Sequence, residues 1–217
     1  MRKIAIVTLL VVGASAYAAE STAPLVAKMQ RYYDATKDLH AKFEQQLASQ
    51  MTARPKKAEG EVWLKKPGKM RWDYAKPEKK LMVSDGATLW VYEPEDEQAF
   101  KQDMHASTLP AQVSFLLGEA KLEKEFDITA AAGDDVKLAA PGAGETVLKL
   151  VPKQGTTAYR YLLFSVDEKT GQVRKTVVLD QQGGTNTLAF TDVKQNSGVS
   201  DSKFNFSPPN GTKILHP

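Results

Sequence analysis

Side chains that could carry acid–base, nucleophilic or metal chemistry are few in this 217-residue chain. The histidines, His40, His105 and His216, are widely separated and read as solvated surface groups. The carboxylates of 93–97 and 134–135 lie in turn-like contexts, which favours solvated loop charge over general acid–base work or calcium binding. The chain has no cysteine and no His-Glu-x-x-His, Gly-x-Ser-x-Gly or P-loop motif. We therefore expect no enzyme, no cofactor and no metal.

The residues suited to binding are large and apolar, and they concentrate in a predicted β-meander of four short strands. Within it Met70, Trp72 and Tyr74 alternate with charged residues, so one face is apolar and the other charged. The other two tryptophans, Trp63 and Trp90, lie in the same stretch, and strand alternation could bring all three to one face. The strands are 61–65, 69–74, 80–84 and 88–92, separated by the turn signals Lys66-Pro67-Gly68, Lys76-Pro77 and Asp85-Gly86.

Such an apolar row is ordinary sheet core in most proteins, and a ligand-binding wall is the alternative. Two features favour the ligand-binding interpretation. Methionine recurs where apolar faces would meet, and its flexible thioether suits a surface that repacks around variable guests. The predicted helices are short and amphipathic, so they can open at low cost because each buries little area. The methionines are Met29, Met70, Met82 and Met104.

The N-terminal residues have the pattern of a signal peptide rather than of a domain. Arg2 and Lys3 precede an apolar run over 4–12, and Ala16-Tyr17-Ala18 offers small residues at the positions a signal peptidase reads. We expect cleavage after Ala18, an exported protein, and one domain over 19–217. Without Arg2 and Lys3, 27 basic side chains face 26 acidic ones, a net charge of +1.

Basic residues cluster between Arg54 and Lys80. The ordinary interpretation is a solvated strand face with lysines guarding exposed edges. The alternative is a docking patch for an acidic partner or anionic headgroups. A nucleic-acid partner is not expected, since base-stacking aromatics are not interleaved with the basic residues in any known reader motif.

The remaining pattern predicts a mainly β protein with few helices. Ser21-Thr22-Ala23-Pro24 reads as a helix start, and the helix should end near 37–38. A second helix is predicted from Ser107 to Gly118. About eleven strands, among them 136–139 and 203–206, indicate an incomplete antiparallel β-barrel. The apolar stripes of the helices need a partner, so the helices should form a lid over the concave face and enclose an apolar cavity.

The chain resembles the LolA family of periplasmic lipoprotein carriers of the outer-membrane localisation pathway. The motifs cover nearly the whole predicted mature chain in the right order. They are Phe43-x-Gln45, Gly60-x-x-Trp63-Leu64-Lys65-Lys66-Pro67, Arg71-Trp72-Asp73-Tyr74, Val83-Ser84-Asp85-Gly86-x-x-Leu89-Trp90-x-Tyr92 with Gln98, and Phe204-x-Phe206-x-Pro208-Pro209-x-Gly211.

This resemblance implies an incomplete β-barrel with an α-helical lid and a cavity for the acyl chains of a lipoprotein. It implies three partners: acylated lipoproteins, an inner-membrane lipoprotein-releasing ABC transporter that supplies them, and an outer-membrane lipoprotein receptor. The carrier itself should be a monomer. The family often has arginine before the proline that follows the first tryptophan, where it bonds to the lid and holds it closed. This chain has Lys66 there, a point charge with fewer donors, so we expect a weaker or differently built latch.

Eight residues are the candidate cavity and lid residues, and Lys66 is the candidate latch. The eight are Met29, Tyr33, Met70, Trp72, Met82, Trp90, Phe115 and Leu116. A one-residue register error on any strand would exchange its faces. Two other functions stay open: a periplasmic sensor that uses the same half-barrel to bind lipid or lipoprotein signals, and a lipid or glycolipid hydrolase, which would need a nucleophile and a base.

Overall fold

A computed structural model describes residues 14–51, 54–104, 111–116 and 121–216, with the side chains of 14–21 and 111–113 left undescribed. The helices are α1 Ala14–Ala35, α2 Ala111–Leu116, α3 Leu122–Glu125 and α4 Asp134–Ala139, with a 3₁₀ helix at Asp201–Phe204. The strands are β1 Asp38–Ala48, β2 Lys56–Lys65, β3 Lys69–Lys76, β4 Lys80–Asp85, β5 Thr88–Glu93, β6 Gln98–Asp103, β7 Phe126–Ala130, β8 Glu145–Pro152, β9 Tyr161–Asp167, β10 Val173–Leu179, β11 Thr185–Gln195 and β12 Lys213–Leu215.

In the described residues the strands form one open sheet of 12 strands in the order β12-β6-β5-β4-β3-β2-β1-β11-β10-β9-β8-β7. Every neighbouring pair is antiparallel except β12 and β6, which are parallel. The predicted fold class, a mainly β protein with an incomplete antiparallel barrel, is confirmed. About eleven strands were predicted and the described residues form 12; β12 was not predicted, and two predicted strands are not strands, as described below.

Register fixes the two faces of the sheet. Ala41, Val62, Trp72, Met82 and Val91 are successive partners across β1 to β5 and so share one side, which we call the inner face. The opposite side is the outer face. The sheet curves strongly, since buried residues from β5 and from β7 at the other end join the same apolar cluster.

Helices α1, α2 and α3 pack on the inner face, and we call them the lid. Val26, Met29 and Tyr33 of α1, Phe115 and Leu116 of α2 and Leu122 of α3 are buried in the inner-face cluster. A smaller cluster on the outer face joins Ala139 of α4 to Val147, Leu163 and Val177 of the sheet. The predicted helical cover of the concave face is therefore present.

The start of α1 differs from the prediction at 21–24. The helix begins at Ala14, and Pro24 lies inside it. The alanine-rich residues before Ser21 are good helix formers and outweigh the local cap-and-proline signal. The helix ends at Ala35, close to the expected end. The predicted second helix overlaps α2, but its start signal at 107–110 and its stop at Gly118 lie outside the described residues.

Two predicted strands are helices in the structure. Residues 136–139 belong to α4, which has Asp134 and Asp135 in its first turn, and acidic groups there favour a helix N-terminus. Residues 201–204 form the 3₁₀ helix, where the Ser200 side chain accepts a hydrogen bond from the Ser202 amide at 3.3 Å. Alternation of apolar residues in a short segment did not distinguish these cases from strands.

Candidate functional site

The inner face of the β-meander is a patch of tightly packed aromatic and apolar side chains. Met70 is 2% and Trp72 4% exposed. The Phe43 ring meets the rings of Trp72 and Tyr74 edge-on at centroid distances of 5.0 and 4.9 Å. Met82 on the next strand packs against the same cluster with its side chain partly buried. The alternation of β3 therefore places its large residues as the sequence predicts.

The lid supplies the matching apolar surface. Met29 and Tyr33 are four residues apart, so they lie on one face of α1. The Tyr33 ring lies 4.6 Å from that of Phe115, and Phe115 lies 5.8 Å from Phe164 of β9. Phe115, which is fully buried, thus bridges α1 and the far half of the sheet.

Little free space separates α1 and Leu116 from the sheet where the described residues meet. A void of about 10 Å³ lies beneath Tyr33 and Leu116, which is about the space of one water molecule. At this place, among the described residues, lid side chains cover the surface where the sequence predicts an apolar cavity. The lining of the void consists of Tyr33, Leu39, Val62, Leu64, Leu116, Gln172, Val173, Phe190 and Val193.

Tyr33 also fixes the lid through its hydroxyl group. The Val173 amide donates a hydrogen bond to the Tyr33 hydroxyl oxygen at 3.1 Å. Burial raises the pKa of Tyr33 far above its usual value, because the apolar surroundings disfavour the phenolate. The phenol therefore stays neutral and serves as a hydrogen-bonding group.

The C-terminal end of α1 is tied to the sheet by side chains that cap its last carbonyls. Lys66 Nζ donates to the Tyr33 carbonyl at 2.5 Å, and Gln195 Nε2 donates to the Tyr32 carbonyl at 3.1 Å. Asn196 Nδ2 donates to the Ala35 carbonyl at 3.1 Å. Thr36, the residue after α1, also donates to two of these carbonyls, from its amide to Tyr33 at 3.2 Å and from Oγ1 to Tyr32 at 2.8 Å. A cation is favoured at this end by the helix dipole. Burial lowers the pKa of Lys66, and Asp34 opposes this shift.

Trp90 is the one predicted cavity residue that the structure places elsewhere. Its neighbours Leu89 and Val91 face the inner cluster, so Trp90 lies on the outer face. There its ring packs 6.0 Å from Phe206, and Lys101 Nζ lies 5.4 Å from the ring centroid. The four consecutive large residues of β5 gave no alternation from which its register could be read.

Several inner-face residues were not among the candidates. Phe43, Phe164 and Phe190 are buried in the cluster, and each lies in a segment that was predicted as a strand. For Phe43 the alternation with Lys42 and Glu44 was the available signal, whereas Phe164 follows the unbroken run Tyr161-Leu162-Leu163, which gave none. Gln172 also lines the void, but a glutamine beside a turn carries no such signal in the sequence.

The outer face of the meander is polar by comparison. A groove of about 740 Å³ combines charged residues, among them Lys42, Glu61 and Asp73, with the aromatic residues Trp63 and Tyr92. His40 was predicted to be a solvated surface group. In the structure its ring stacks on Trp63 at a centroid distance of 4.8 Å, and its Nε2 lies 2.8 Å from a Glu61 carboxylate oxygen. His105 lies outside the described residues.

Several lysines of the predicted basic cluster, and one of the carboxylates predicted to lie in loops, form ion pairs or hydrogen bonds within the protein. Lys65 and Lys69 both pair with Asp201, at 2.8 and 3.2 Å, so these lysines are not a free docking patch. Asp135, expected in a solvated loop, accepts hydrogen bonds from Tyr161 at 2.6 Å and Lys149 at 2.8 Å. Within the described residues no group of three or more potential metal ligands is found.

The fold and the inner face define a class: an open β half-barrel whose apolar concave side is covered by helices. None of the helices in the described part of the chain combines the length and apolarity needed to cross a membrane. The chain belongs to the outer membrane lipoprotein carrier protein family LolA, whose family model matches residues 34–207. This is a family of periplasmic, non-enzymatic transport proteins with lipoproteins as cargo.

Curated relatives agree over most of their length. The chain is 26% identical over 180 residues to the outer-membrane lipoprotein carrier protein of Dechloromonas aromatica, covering 83% of this chain and 82% of the relative. It is 26% identical over 204 residues to that of Chromobacterium violaceum, covering 93% and 92%. An uncharacterized conserved protein from Thermus thermophilus has a similar fold, with a TM-score of 0.55, 11% identity and coverage of 91% and 99%.

Proposed function

We propose that this protein accepts acylated lipoproteins from an inner-membrane ABC transporter, shields their acyl chains between sheet and lid, and delivers them to an outer-membrane receptor. The observation that carries the proposal is the single apolar cluster shared by the lid and the inner face. Met29, Tyr33, Met70, Trp72, Met82, Phe115 and Leu116 are the residues proposed to contact the chains.

The size of the hydrophobic effect explains why a carrier is needed. Each exposed methylene costs about 0.8 kcal/mol, so a lipoprotein with several acyl chains does not cross an aqueous compartment unaided. A carrier must cover the chains and still let them go. An inner face that is covered by its own helices when no cargo is bound meets both requirements.

The lid has to move for cargo to enter. A void of about 10 Å³ holds roughly one water molecule and no acyl chain. The lid side chains and the acyl chains therefore compete for the same apolar surface. Lys66 is proposed as the latch of the closed form, because its ammonium group holds the Tyr33 carbonyl of α1 at 2.5 Å.

The direction of transfer has to come from the partners. The sequence holds no nucleotide-binding motif, so we propose that an upstream pump supplies the energy for loading. A tighter-binding acceptor then unloads the carrier. The difference in affinity sets the direction.

The predicted leader and domain limits remain part of the proposal. Cleavage after Ala18 would leave one carrier domain over 19–217, with α1 beginning at its first residue. Sequencing the N-terminus of the exported protein measures this directly: a first residue other than Ala19 contradicts the cleavage site.

A matched pair of neighbouring residues tests the cargo face. Met82 and Leu81 lie side by side on β4, both half-buried, but Met82 packs on the inner cluster and Leu81 lines the outer groove. We expect Met82→Glu to reduce release of lipoprotein from transporter-containing inner-membrane vesicles at least about tenfold, because a carboxylate is poorly accommodated among acyl chains. Leu81→Glu should release it as the wild type does.

Leu116→Glu extends the test to the lid and should behave like Met82→Glu. Normal release by Met82→Glu, or equal loss in both β4 variants, would contradict the inner face as the cargo site. The sensor alternative is not favoured, since the curated relatives are named as carriers.

A further inference from the structure

Two buried polar atoms stand out in the apolar interior. Among the described residues, Gln172 Nε2 and Thr176 Oγ1 are the buried side-chain nitrogen and oxygen atoms without a hydrogen-bond partner. Gln172 is 7% and Thr176 1% exposed. Buried polar atoms nearly always have a hydrogen-bond partner, so two atoms without one in the same short segment require an explanation.

Both residues lie on the lid side of the sheet, Gln172 just before β10 and Thr176 within it. Gln172, directly before β10, lines the void together with Tyr33 and Leu116. Thr176 is the cross-strand partner of Phe164, on which Phe115 of the lid packs. Tyr33 and Leu116 thus lie beside Gln172, and Phe115 packs on the strand neighbour of Thr176; these lid side chains must move when the inner face is uncovered.

The backbone around Gln172 is held in place. Its carbonyl accepts a hydrogen bond from the Asp167 amide at 2.9 Å, and its amide donates to Thr170 Oγ1 at 3.2 Å. Gly171 has φ +80°, and a Cβ there would come within 2.8 Å of the backbone of Lys28 and Met29. The tight approach of α1 to this turn fixes the site from which the amide side chain projects.

The surroundings select the kind of ligand atom that would pair with Gln172. The other residues that line the void are apolar or, for Tyr33, neutral, so a charged ligand group would be left without a counter-charge. An amide N–H donor in such surroundings suits a neutral acceptor that arrives attached to hydrocarbon. The ester and amide carbonyls that join acyl chains to their head group have this chemistry.

We propose that Gln172, assisted by Thr176, is a polar anchor that hydrogen-bonds the carbonyl oxygens at the head of the acyl chains once the lid has moved. The inference rests on the proposed carrier function and adds the chemical group that is recognised. The anchor sets how deeply the chains enter and favours carbonyl-linked chains over plain hydrocarbon. The Thr176 hydroxyl can donate or accept, so it can pair with a carbonyl or with an amide N–H.

The test compares two lipopeptide probes of equal chain length, one with ester- and amide-linked chains and one with ether- and alkyl-linked chains that lack the carbonyl oxygens. Binding to the exported protein is followed by tryptophan fluorescence. Wild type should bind the carbonyl probe about tenfold more tightly. Gln172→Met, of similar shape, should lose that preference and bind the ether probe as before. Gln46→Met makes the same change at an exposed residue of β1 and should keep the preference.

Thr176→Val provides a second variant and should lose part of the preference. Gln172→Met should also match or exceed wild type in resistance to urea without ligand, because it removes an unpaired donor. Equal affinity of wild type for both probes would overturn the anchor and leave the carrier function standing. Failure of wild type to bind either probe would overturn both. An equal loss for both probes in Gln172→Met would show a structural role and overturn the anchor.

Discussion

The two faces of the β-meander are covered in opposite ways. On the inner face the cover is the lid, which meets Trp72 and its neighbours through apolar contacts. On the outer face the cover is the segment 196–212, which we call the C-terminal strap. It runs over β3 and β4 and continues into β12, which pairs with β6.

The polar ties of the two covers also differ in their distribution. For α1, the described side-chain caps concentrate at its C-terminal end, where Lys66, Gln195 and Asn196, the first residue of the strap, hold the last carbonyls. The strap is tied along its course. Lys65 Nζ donates to the Val199 carbonyl at 2.7 Å, and Arg71 donates to the Lys203 carbonyl at 3.2 Å.

Burial adds to the strap's attachment. Phe204 of the strap is 2% exposed, and Val83 on the outer face of β4 is 1% exposed. Lys203 Nζ lies 3.6 Å from the Trp63 ring centroid. Directional bonds at several points fix the strap to the outer face. The lid is held mainly by apolar contacts, with polar ties at the end of α1 and at Lys28, and a cover of that kind can be displaced more easily.

The largest expected effect comes from a pair of buried phenylalanines, one in each cover. Phe204→Ala should lower the free energy of unfolding by about 3–5 kcal/mol, because the strap unfolds only with the whole domain. Phe115→Ala should lower the free energy of unfolding by less. If the lid opens separately from the domain, losing its contacts can cost no more than the free energy of lid closure. Equilibrium urea unfolding of both variants measures the difference. An equal or larger cost for Phe115→Ala would contradict a separately releasable lid.

An intermediate effect is expected at the tie of the lid. Lys66→Ala removes a charged donor from the Tyr33 carbonyl, an interaction worth about 1.5 kcal/mol. Because the closed lid competes with cargo, the variant should bind a fluorescent fatty acid up to about tenfold more tightly. Lys66→Arg keeps a cation at the helix end and should stay near wild type. Unchanged or weaker binding by Lys66→Ala would exclude the latch.

The smallest effect concerns the turn beneath α1. Hydrogen bonds, chiefly from the Thr170 amide, hold the pKa of Asp167 at about 2, below its usual 3.8. The lower folded-state pKa stabilises the protein above about pH 4, and this contribution is lost as the pH falls towards 2. Allowing for solvent screening, we expect about 1 kcal/mol.

Asp167→Asn isolates this contribution. At pH 7 the variant should be less stable than wild type by that amount, and urea unfolding at successively lower pH should show the difference shrinking. The lid lies on this turn, since Lys28 of α1 donates to the Glu168 carbonyl at 2.6 Å. A difference that stays constant from pH 7 to pH 3 would show that Asp167 does not titrate as described.

Much of the fold could be read from the sequence because alternation and turn chemistry agree in most strands. In β3, apolar and charged residues alternate cleanly, and the face of Trp72 followed directly. In β5 every residue from Leu89 to Tyr92 is large and apolar, so only pairing with β4 decides that Val91 faces inward and Trp90 outward. Pairing partners are tertiary information, which a strand's own residues do not contain.

The helical segments show a second limit of the sequence. Asp134 and Asp135 were read as turn carboxylates and the following apolar residues as a strand, but together they form α4. Short segments fit either period, and here packing on Val147, Leu163 and Val177 decides. Lys66 was placed by resemblance alone, and its carbonyl partner became visible only when β2 and the end of α1 were brought together.

The nearly filled interior has a consequence for recognition between the carrier and its acceptor. Under the proposed function, an arriving acyl chain must evict Tyr33, Phe115 and Leu116 from the surface that they cover. The displaced side chains then lie where solvent or another protein can reach them. A loaded carrier would therefore expose an apolar surface that is buried in the empty carrier. An acceptor could bind that surface and so distinguish the loaded from the empty form without contacting the lipid.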